Sequence, residues 1–76
     1  MSATSGTEYV VVYEKTPTGY SAYVPDLPGC ITTGPTLPDT KKSMQEAIRG
    51  HLAVMREYGD PIPQPTTVAE RMQVSA

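Results

Sequence analysis

The chain has 76 residues, about half the usual length of a single domain, so we expect one small folding unit. The net charge of −2 and the scattered positions of six Lys and Arg residues argue against a surface that binds nucleic-acid phosphates. A single cysteine, Cys30, and a single histidine, His51, exclude an intrachain disulfide and argue against a self-contained zinc site. Since so small a domain buries only roughly 60% of its unfolded surface, we expect self-association or a partner to support it.

Signals for export or membrane insertion are missing from the sequence. The longest apolar run, residues 9–13, is far shorter than the roughly 18 residues of a membrane span. Residues 1–7 are small and polar, without the basic and apolar regions of a signal peptide. We therefore predict a disordered leader over residues 1–7 and a single domain over residues 8–74 in a cytoplasmic protein that does not contact membranes.

The first predicted elements are two strands joined by a turn. Residues 8–15 are β-branched or aromatic at every apolar position, and both faces of such a strand are apolar. The turn at residues 16–19 carries a proline and a glycine, which is the chemistry of a hairpin. Residues 20–24 form the returning strand. One of its faces carries Tyr20, Ala22 and Val24, and the other carries Ser21 and Tyr23.

A stiff connector and a third strand follow. Residues 25–30 contain two prolines three positions apart, which excludes a helix or a central strand there. Residues 31–33 resume β character before Gly34 and Pro35, and we predict a short third strand.

The apolar period then changes from two to about 3.6, which predicts a helix. Thr36 is a good N-cap with Asp39 three positions later, and Gly59 before Pro61 is a strong stop signal. Gly50 is costly inside a helix, so we expect close packing against it. The apolar stripe comprises Met44, Ala47, Ile48, Leu52 and Met55, with His51 at its edge.

The C-terminal segment begins with alternating prolines. Residues 61–65 must be extended because of them. Residues 66–74 fit either a closing strand or a helical fragment, and we favour the strand. The predicted fold is therefore α+β in the order β-β-β-α-β, a three-to-four-stranded, mostly antiparallel sheet with one helix on one face.

Few residues in the sequence are candidates for catalysis or metal binding. His51 lies beside the apolar stripe, where a structural role is favoured, and Cys30 is favoured as a small buried hydrophobe over a nucleophile. Asp26 with Glu14 or Glu70 is a weaker candidate for a divalent-cation site of the nuclease type. We therefore predict no catalytic residues, no metal and no cofactor.

The positions of the tyrosines say more about function than the candidate catalytic residues do. Four of them lie on the predicted hairpin, yet a helix covers only one face of it. Some should therefore meet a partner, because tyrosine is enriched at interfaces, although packing under the helix is an equally good explanation. The four are Tyr9, Tyr13, Tyr20 and Tyr23.

Five segments in fixed order carry a family likeness, and together they resemble the HicB-like antitoxin family over residues 8–74. The connector Pro-Asp-Leu-Pro-Gly-Cys, the Thr-Leu helix start and the Pro-Ile-Pro tail are specific only in combination. The segments are Gly19–Gly34, Thr36-Leu37, Glu46-Ala47-Ile48, His51-Leu52 and Gly59–Pro65.

This resemblance implies a partial RNase H-like fold without that enzyme's catalytic carboxylates. Family members neutralise HicA, a small mRNA endoribonuclease, by covering its catalytic histidine; they also oligomerise and often repress their own operon through an added C-terminal DNA-binding segment. Here the sequence stops at Ala76, so we expect no direct DNA binding by this chain. The helix departs from the family pattern over residues 38–42 and at Gly50, so no interface residue is assigned to it.

We predict a non-enzymatic antitoxin that binds a HicA-like toxin and forms a homo-oligomer, either a dimer or a tetramer. The alternatives are a metal-dependent nuclease remnant of RNase H-like fold and a standalone oligomeric protein with another partner. The expected partner-binding residues lie on the second strand and the connector: Tyr20, Tyr23, Asp26, Pro28, Gly29 and Cys30.

Overall fold

The computed structural model describes residues 7–75, which form a three-stranded antiparallel sheet with one helix on one face. This confirms the predicted α+β class. The predicted leader lies outside the described residues except for Thr7, which is exposed. In space the strands follow the order β1-β2-β3, and the elements are β1 (Val12–Thr16), β2 (Gly19–Tyr23), β3 (Ile31–Gly34) and α1 (Leu37–Glu57).

The hairpin pairs β1 and β2 with Tyr13 opposite Ala22 and Val12 opposite Tyr23. We expect β1 to begin at residue 8 from the sequence, but in the structure it begins at Val12. The partner strand sets this limit, because β2 ends at Tyr23, which pairs with Val12, and no residue of β2 lies beyond it to pair with residues 8–11. Residues 8–11 therefore extend past the end of the paired region.

The connector between β2 and β3 is held by its own backbone. The amide of Leu27 donates to the carbonyl of Val24, and the amide of Cys30 donates to the carbonyl of Leu27, each at 3.0 Å. These two turns direct the Leu27 side chain inward, where it is fully buried. The connector, whose prolines predict that it is stiff, thus also contributes a fully buried side chain to the hydrophobic core.

The core lies between the sheet and the helix and is small. Within residues 7–75 only five apolar side chains are buried, namely Ala22, Val24, Leu27, Cys30 and Met44. Three partly buried residues of the predicted helix stripe pack against this core, as do three residues at or before β1. They are Ala47, Ile48 and Leu52, and Tyr9, Val11 and Tyr13. The helix packs mainly over β2 and β3, so β1 is the least covered strand.

Both predicted ends of the helix are confirmed. At its start, the amide of Asp39 donates to Thr36 Oγ1 at 3.2 Å. At its end, the amide of Gly59 donates to the carbonyl of Arg56 at 3.1 Å and that of Asp60 to the carbonyl of Met55 at 2.8 Å. This pair of bonds is a Schellman motif, which requires the left-handed backbone that Gly59 adopts at φ 71°.

Two glycines differ sharply in their surroundings. A Cβ placed on Gly34 would lie 2.5 Å from the side-chain oxygen of Thr40, so the end of β3 needs a glycine to meet the helix. Thr40 is fully buried there, and its hydroxyl donates to the carbonyl of Thr36 at 2.7 Å. Gly50 is exposed, with no atom within 4 Å of an added Cβ. Our expectation of close packing at Gly50 is therefore wrong within a single copy of the chain.

The closing strand predicted over residues 66–74 is also wrong, because residues 60–75 contain neither helix nor strand. The amides of Thr66 and Thr67 donate to the Asp26 carboxylate, which lies in the connector, and so are not used in a sheet ladder. Beyond them, Val68, Met72 and Val74 are 88%, 75% and 75% exposed. Within residues 7–75, no helix has the length and apolar character needed to cross a membrane.

Candidate interaction surface

A row of three apolar side chains crosses the sheet on the face opposite the helix. Val12 lies opposite Tyr23 on the neighbouring strand, and Tyr23 lies opposite Ile31 on the next. Directly paired residues share a face, and the buried Ala22 shows that the adjacent positions face the helix. Tyr23 is 40% exposed and Ile31 is 66% exposed, so this row is open to a partner.

The row is bounded by polar residues toward the hairpin. Glu14 pairs with Ser21, and Ser21 pairs with Thr33, two positions along from the apolar row on the same face. Glu14 and Thr33 are exposed. The open face of the sheet therefore has one apolar end and one polar, acidic end.

On the connector side, the apolar row continues into a groove beside the helix. This groove has a volume of about 350 Å³, and its lining includes Gly29, Ile31, Gly50, His51 and Val54. Val54 is 51% exposed, and Gly50 presents no side chain. Ile31 belongs to both features, so we treat the row and the groove together as one patch. We call it the Ile31 surface and define it by Val12, Tyr23, Gly29, Ile31, Gly50 and Val54.

Three of the six residues predicted to bind a partner lie at or beside this surface. Tyr23 and Gly29 belong to it, and Pro28 is the exposed neighbour of Gly29 in the connector. Gly29 has φ 85°, a left-handed backbone conformation that favours glycine at this position of the connector. Tyr20 lies elsewhere, opposite Lys15 at the hairpin end of the sheet, where it is half-buried.

Asp26, the fifth predicted residue, binds the C-terminal segment. Its Oδ2 accepts from the amides of Thr66 at 3.1 Å and Thr67 at 3.0 Å. Its Oδ1 accepts from the hydroxyls of Thr66 at 3.1 Å and Thr67 at 2.9 Å. These hydrogen bonds, led by the one from the Thr67 amide, lower the pKa of the Asp26 carboxyl because they favour its charged form. We call this arrangement the Asp26 clamp.

Cys30, the sixth, points into the core. Its side chain is 3% exposed, and its Sγ lies 4.0 Å from Met44 Sδ. Burial raises the pKa of the Cys30 thiol, so the nucleophilic thiolate is disfavoured. The structure therefore confirms the interpretation of Cys30 as a small buried hydrophobe. Its side chain thus packs the connector against the core.

The carboxylate site considered for a divalent cation has no support in the described part of the chain. Residues 7–75 contain no group of three or more His, Cys, Asp or Glu side chains placed to hold a metal ion. Both oxygens of Asp26 are already occupied by threonine donors.

The sequence leaves two explanations for the hairpin tyrosines, which are packing under the helix and contact with a partner. The structure places tyrosines in positions that suit each explanation. Tyr9 and Tyr13 pack against the core, and the Tyr9 hydroxyl donates to the carbonyl of Pro63. Burial raises the pKa of the Tyr13 hydroxyl. Tyr23 alone lies on the open-face row. The sequence analysis missed Ile31, whose face could not be assigned without the path of the connector.

These features define a small α+β protein of the β-β-β-α type with an uncovered apolar sheet face. More particularly, the chain belongs to the family described as the HicB_like antitoxin of bacterial toxin-antitoxin system, whose model matches residues 9–76. This membership confirms the resemblance seen in the sequence and associates the chain with toxin-antitoxin systems.

Relatives and a solved structure agree with this membership. The chain is 34% identical over 62 residues to a 14.9 kDa protein from the rep-hol intergenic region of Haemophilus phage HP1, covering 82% of this chain and 47% of that protein. It thus spans about half of the phage relative. It is 34% identical over 70 residues to a UPF0150 protein of Thermoplasma acidophilum, covering 91% and 99%. It resembles a chain of a HicA3 and HicB3 toxin-antitoxin complex, with 33% identity, a TM-score of 0.68 and coverage of 79% and 70%.

Proposed function

We propose that the chain is a non-enzymatic antitoxin that binds and neutralises a HicA-type mRNA endoribonuclease. The observation that carries the proposal is membership of the HicB-like family together with the 33% identical match to a chain of the HicA3 and HicB3 complex. Neutralisation by binding needs only a surface that covers the ribonuclease active site. The proposal also includes a cytoplasmic location, where that ribonuclease would meet mRNA.

The Ile31 surface is the contact that we assign to the toxin. Interface centres are rich in aromatic side chains and poor in charged ones, and this surface combines Tyr23 with Ile31 and Val54. The bare backbone at Gly50 lets a partner approach the helix closely. Of the residues proposed from the sequence, Tyr23, Pro28 and Gly29 would contact the toxin directly.

The remaining proposed residues act in other ways. Asp26 and Cys30 hold the connector that presents Pro28 and Gly29, one through the clamp and the other through the core. Tyr20 shares the helix-side face of β2 with Ala22, so a partner on the open face would not contact its side chain directly.

The net charge of the chain also favours an RNA-binding enzyme as its partner. The chain carries a net charge of −2, and the polar end of its open face includes the exposed Glu14. An enzyme that binds RNA presents positive charge around its site, so an acidic inhibitor is attracted to it. The net negative charge also supports our proposal that this chain does not bind DNA directly. Self-association, as a dimer or tetramer, completes the proposal because the core is small.

A matched pair of variants on β3 tests the function. Ile31 and Thr33 share one face of the same strand, and both are exposed, so a lysine at either position should leave the fold intact. We expect Ile31→Lys to abolish both copurification with a HicA-type toxin and rescue of growth during toxin expression. We expect Thr33→Lys to retain both activities.

Two results would overturn parts of the proposal. If the unmodified chain neither copurifies with a co-expressed HicA-type ribonuclease nor inhibits its mRNA cleavage, the antitoxin function is wrong. If both lysine variants inhibit the ribonuclease equally well, the function stands but the Ile31 surface is not the contact.

A further inference from the structure

The groove of the Ile31 surface contains an imidazole among apolar side chains. On its helix wall, Ala47, His51 and Met55 are spaced four residues apart, so they lie on one ridge with His51 in the middle. His51 is half-buried and so keeps surface for a partner. The Cys30 thiol also lines the groove, but it lies against Met44 in the core. Among the described lining residues, His51 therefore offers the polar side chain that a partner can reach.

Two glycines, one on each wall, keep the approach to His51 open. Gly29 belongs to the connector wall, and Gly50 directly precedes His51 on the helix wall. A Cβ placed on either glycine would have no atom within 4 Å. A partner side chain can therefore reach the imidazole between two stretches of bare backbone.

The chemistry of the lining restricts which side chain fits. The described residues that line the groove include no Asp, Glu, Lys or Arg. Interface anchors are most often Trp, Tyr or Arg, and an arginine would find no carboxylate here. An aliphatic or phenyl group would bury the imidazole without a hydrogen-bond partner, which is costly. A tyrosine or tryptophan meets both requirements, because its ring packs on apolar walls while its polar tip bonds to the imidazole.

We infer that His51 is a specificity-determining residue of the Ile31 surface and that the groove takes a tyrosine or tryptophan side chain of the toxin. The imidazole would hydrogen-bond to the phenol hydroxyl or the indole N–H of that anchor. This inference rests on the proposed antitoxin function and deepens it, since it names the kind of toxin residue that the groove selects.

A pH dependence of binding follows from this placement. Covering the groove removes the imidazole from water where no acidic side chain of the lining pairs with its charged form, so the complex favours the neutral form. The helix positions one turn before and after His51 are apolar, and burial keeps the Cys30 thiol protonated by raising its pKa. Toxin binding should therefore weaken as the pH falls from about 7.5 to about 5.5, where histidine ordinarily gains a proton.

NMR of the imidazole tests the contact directly, because His51 is the only histidine in the chain. The full-length chain carrying ¹³C-labelled histidine is measured alone and with an unlabelled HicA-type toxin. We expect nuclear Overhauser effects from the His51 ring to an aromatic ring of the toxin, and a protonation midpoint at lower pH in the complex than in the free chain.

The possible outcomes separate this inference from the function on which it rests. A complex in which the His51 signals match those of the free chain would overturn the inference and leave the antitoxin function standing. Effects only to aliphatic protons of the toxin would overturn the aromatic occupant. Failure to form any complex would overturn the antitoxin function itself.

A matched pair of substitutions separates hydrogen bonding from packing. His51→Phe keeps a ring but removes donor and acceptor, whereas His51→Gln keeps both. We expect the phenylalanine variant to weaken toxin binding about tenfold or more and the glutamine variant about threefold or less. The glutamine variant should also lose the pH dependence, and urea denaturation checks that both variants fold. Binding by a folded His51→Phe that equals binding by the unmodified chain would remove His51 from the contact.

Discussion

Thr67 is bonded to Asp26 through both its amide and its hydroxyl, although the two residues lie 41 positions apart in the sequence. The hydrogen bonds measure 3.0 Å and 2.9 Å and reach different oxygens of the same carboxylate. This contact connects the C-terminal segment to the connector between β2 and β3. It also gives a clear structural role to the acidic residue of the Pro-Asp-Leu-Pro-Gly-Cys sequence.

Replacing the clamp carboxylate should release the C-terminal segment. In Asp26→Asn, one of the two acceptor oxygens becomes an amide donor that faces threonine donors, so the four bonds cannot all form. We expect hydrogen exchange at the Thr66 and Thr67 amides to accelerate several-fold, while exchange in α1 stays unchanged. Asp60→Asn, an exposed change at the end of the helix, is the control. Unchanged exchange at Thr67 in Asp26→Asn would show that the clamp does not hold the segment.

The clamp should also respond to acid in a defined direction. Its hydrogen bonds lower the Asp26 pKa below the ordinary value, so its stabilising effect is complete above that ordinary value of about 3.9. It is lost only as the pH falls through the lowered pKa. We expect the NMR amide shifts of Thr66 and Thr67 to stay constant from about pH 7 to pH 5 and to move below about pH 4. Movement already between pH 7 and pH 5 would contradict a lowered pKa, and in Asp26→Asn the acid transition should be absent.

Two glycine-to-alanine changes should shift stability in opposite directions. Gly34→Ala crowds the Thr40 side chain and backbone and should lower the free energy of unfolding by about 1–3 kcal/mol. Gly50→Ala meets no neighbour and should raise it by about 0.5–1 kcal/mol, because alanine favours the helix. Urea denaturation measures both values.

Gly50→Ala has a second expected effect, because Gly50 belongs to the Ile31 surface. If a toxin approaches the helix at this point, the added methyl group should weaken binding although the fold becomes more stable. A variant that is both more stable and fully able to bind would remove Gly50 from the contact.

The Cys30 thiol should be unreactive in the folded protein. It is buried against Met44, and burial raises its pKa, so both access and the thiolate form are disfavoured. We expect no alkylation by iodoacetamide at neutral pH until urea unfolds the chain. Ala53→Cys, which adds a thiol at an exposed helical position, should be alkylated at once at that site. Rapid alkylation of Cys30 in the native protein would show that the connector opens readily.

Local features of the fold were predictable from the sequence because short-range chemistry determines them. The Thr36 N-cap, the Gly59 stop and the hairpin turn each depend on a few neighbouring residues. The two faces of β2 were also assigned correctly, since alternation fixes them once the strand is recognised. The family likeness was predictable for the same reason, as its segments keep their order and spacing.

The tertiary structure decided where the long-range partners lie. A strand forms only beside an available edge, so the strand-like residues 66–74 could be assigned only after the Asp26 clamp was seen to hold Thr66 and Thr67. Likewise, Ile31 joins Tyr23 and Val12 on the open face because the connector sets the register of β3, which no local pattern contains. The sequence by itself thus determined the three strands, the helix and the family, while chain path and packing decided that residues 66–74 form no strand in this chain and which faces remain open to partners.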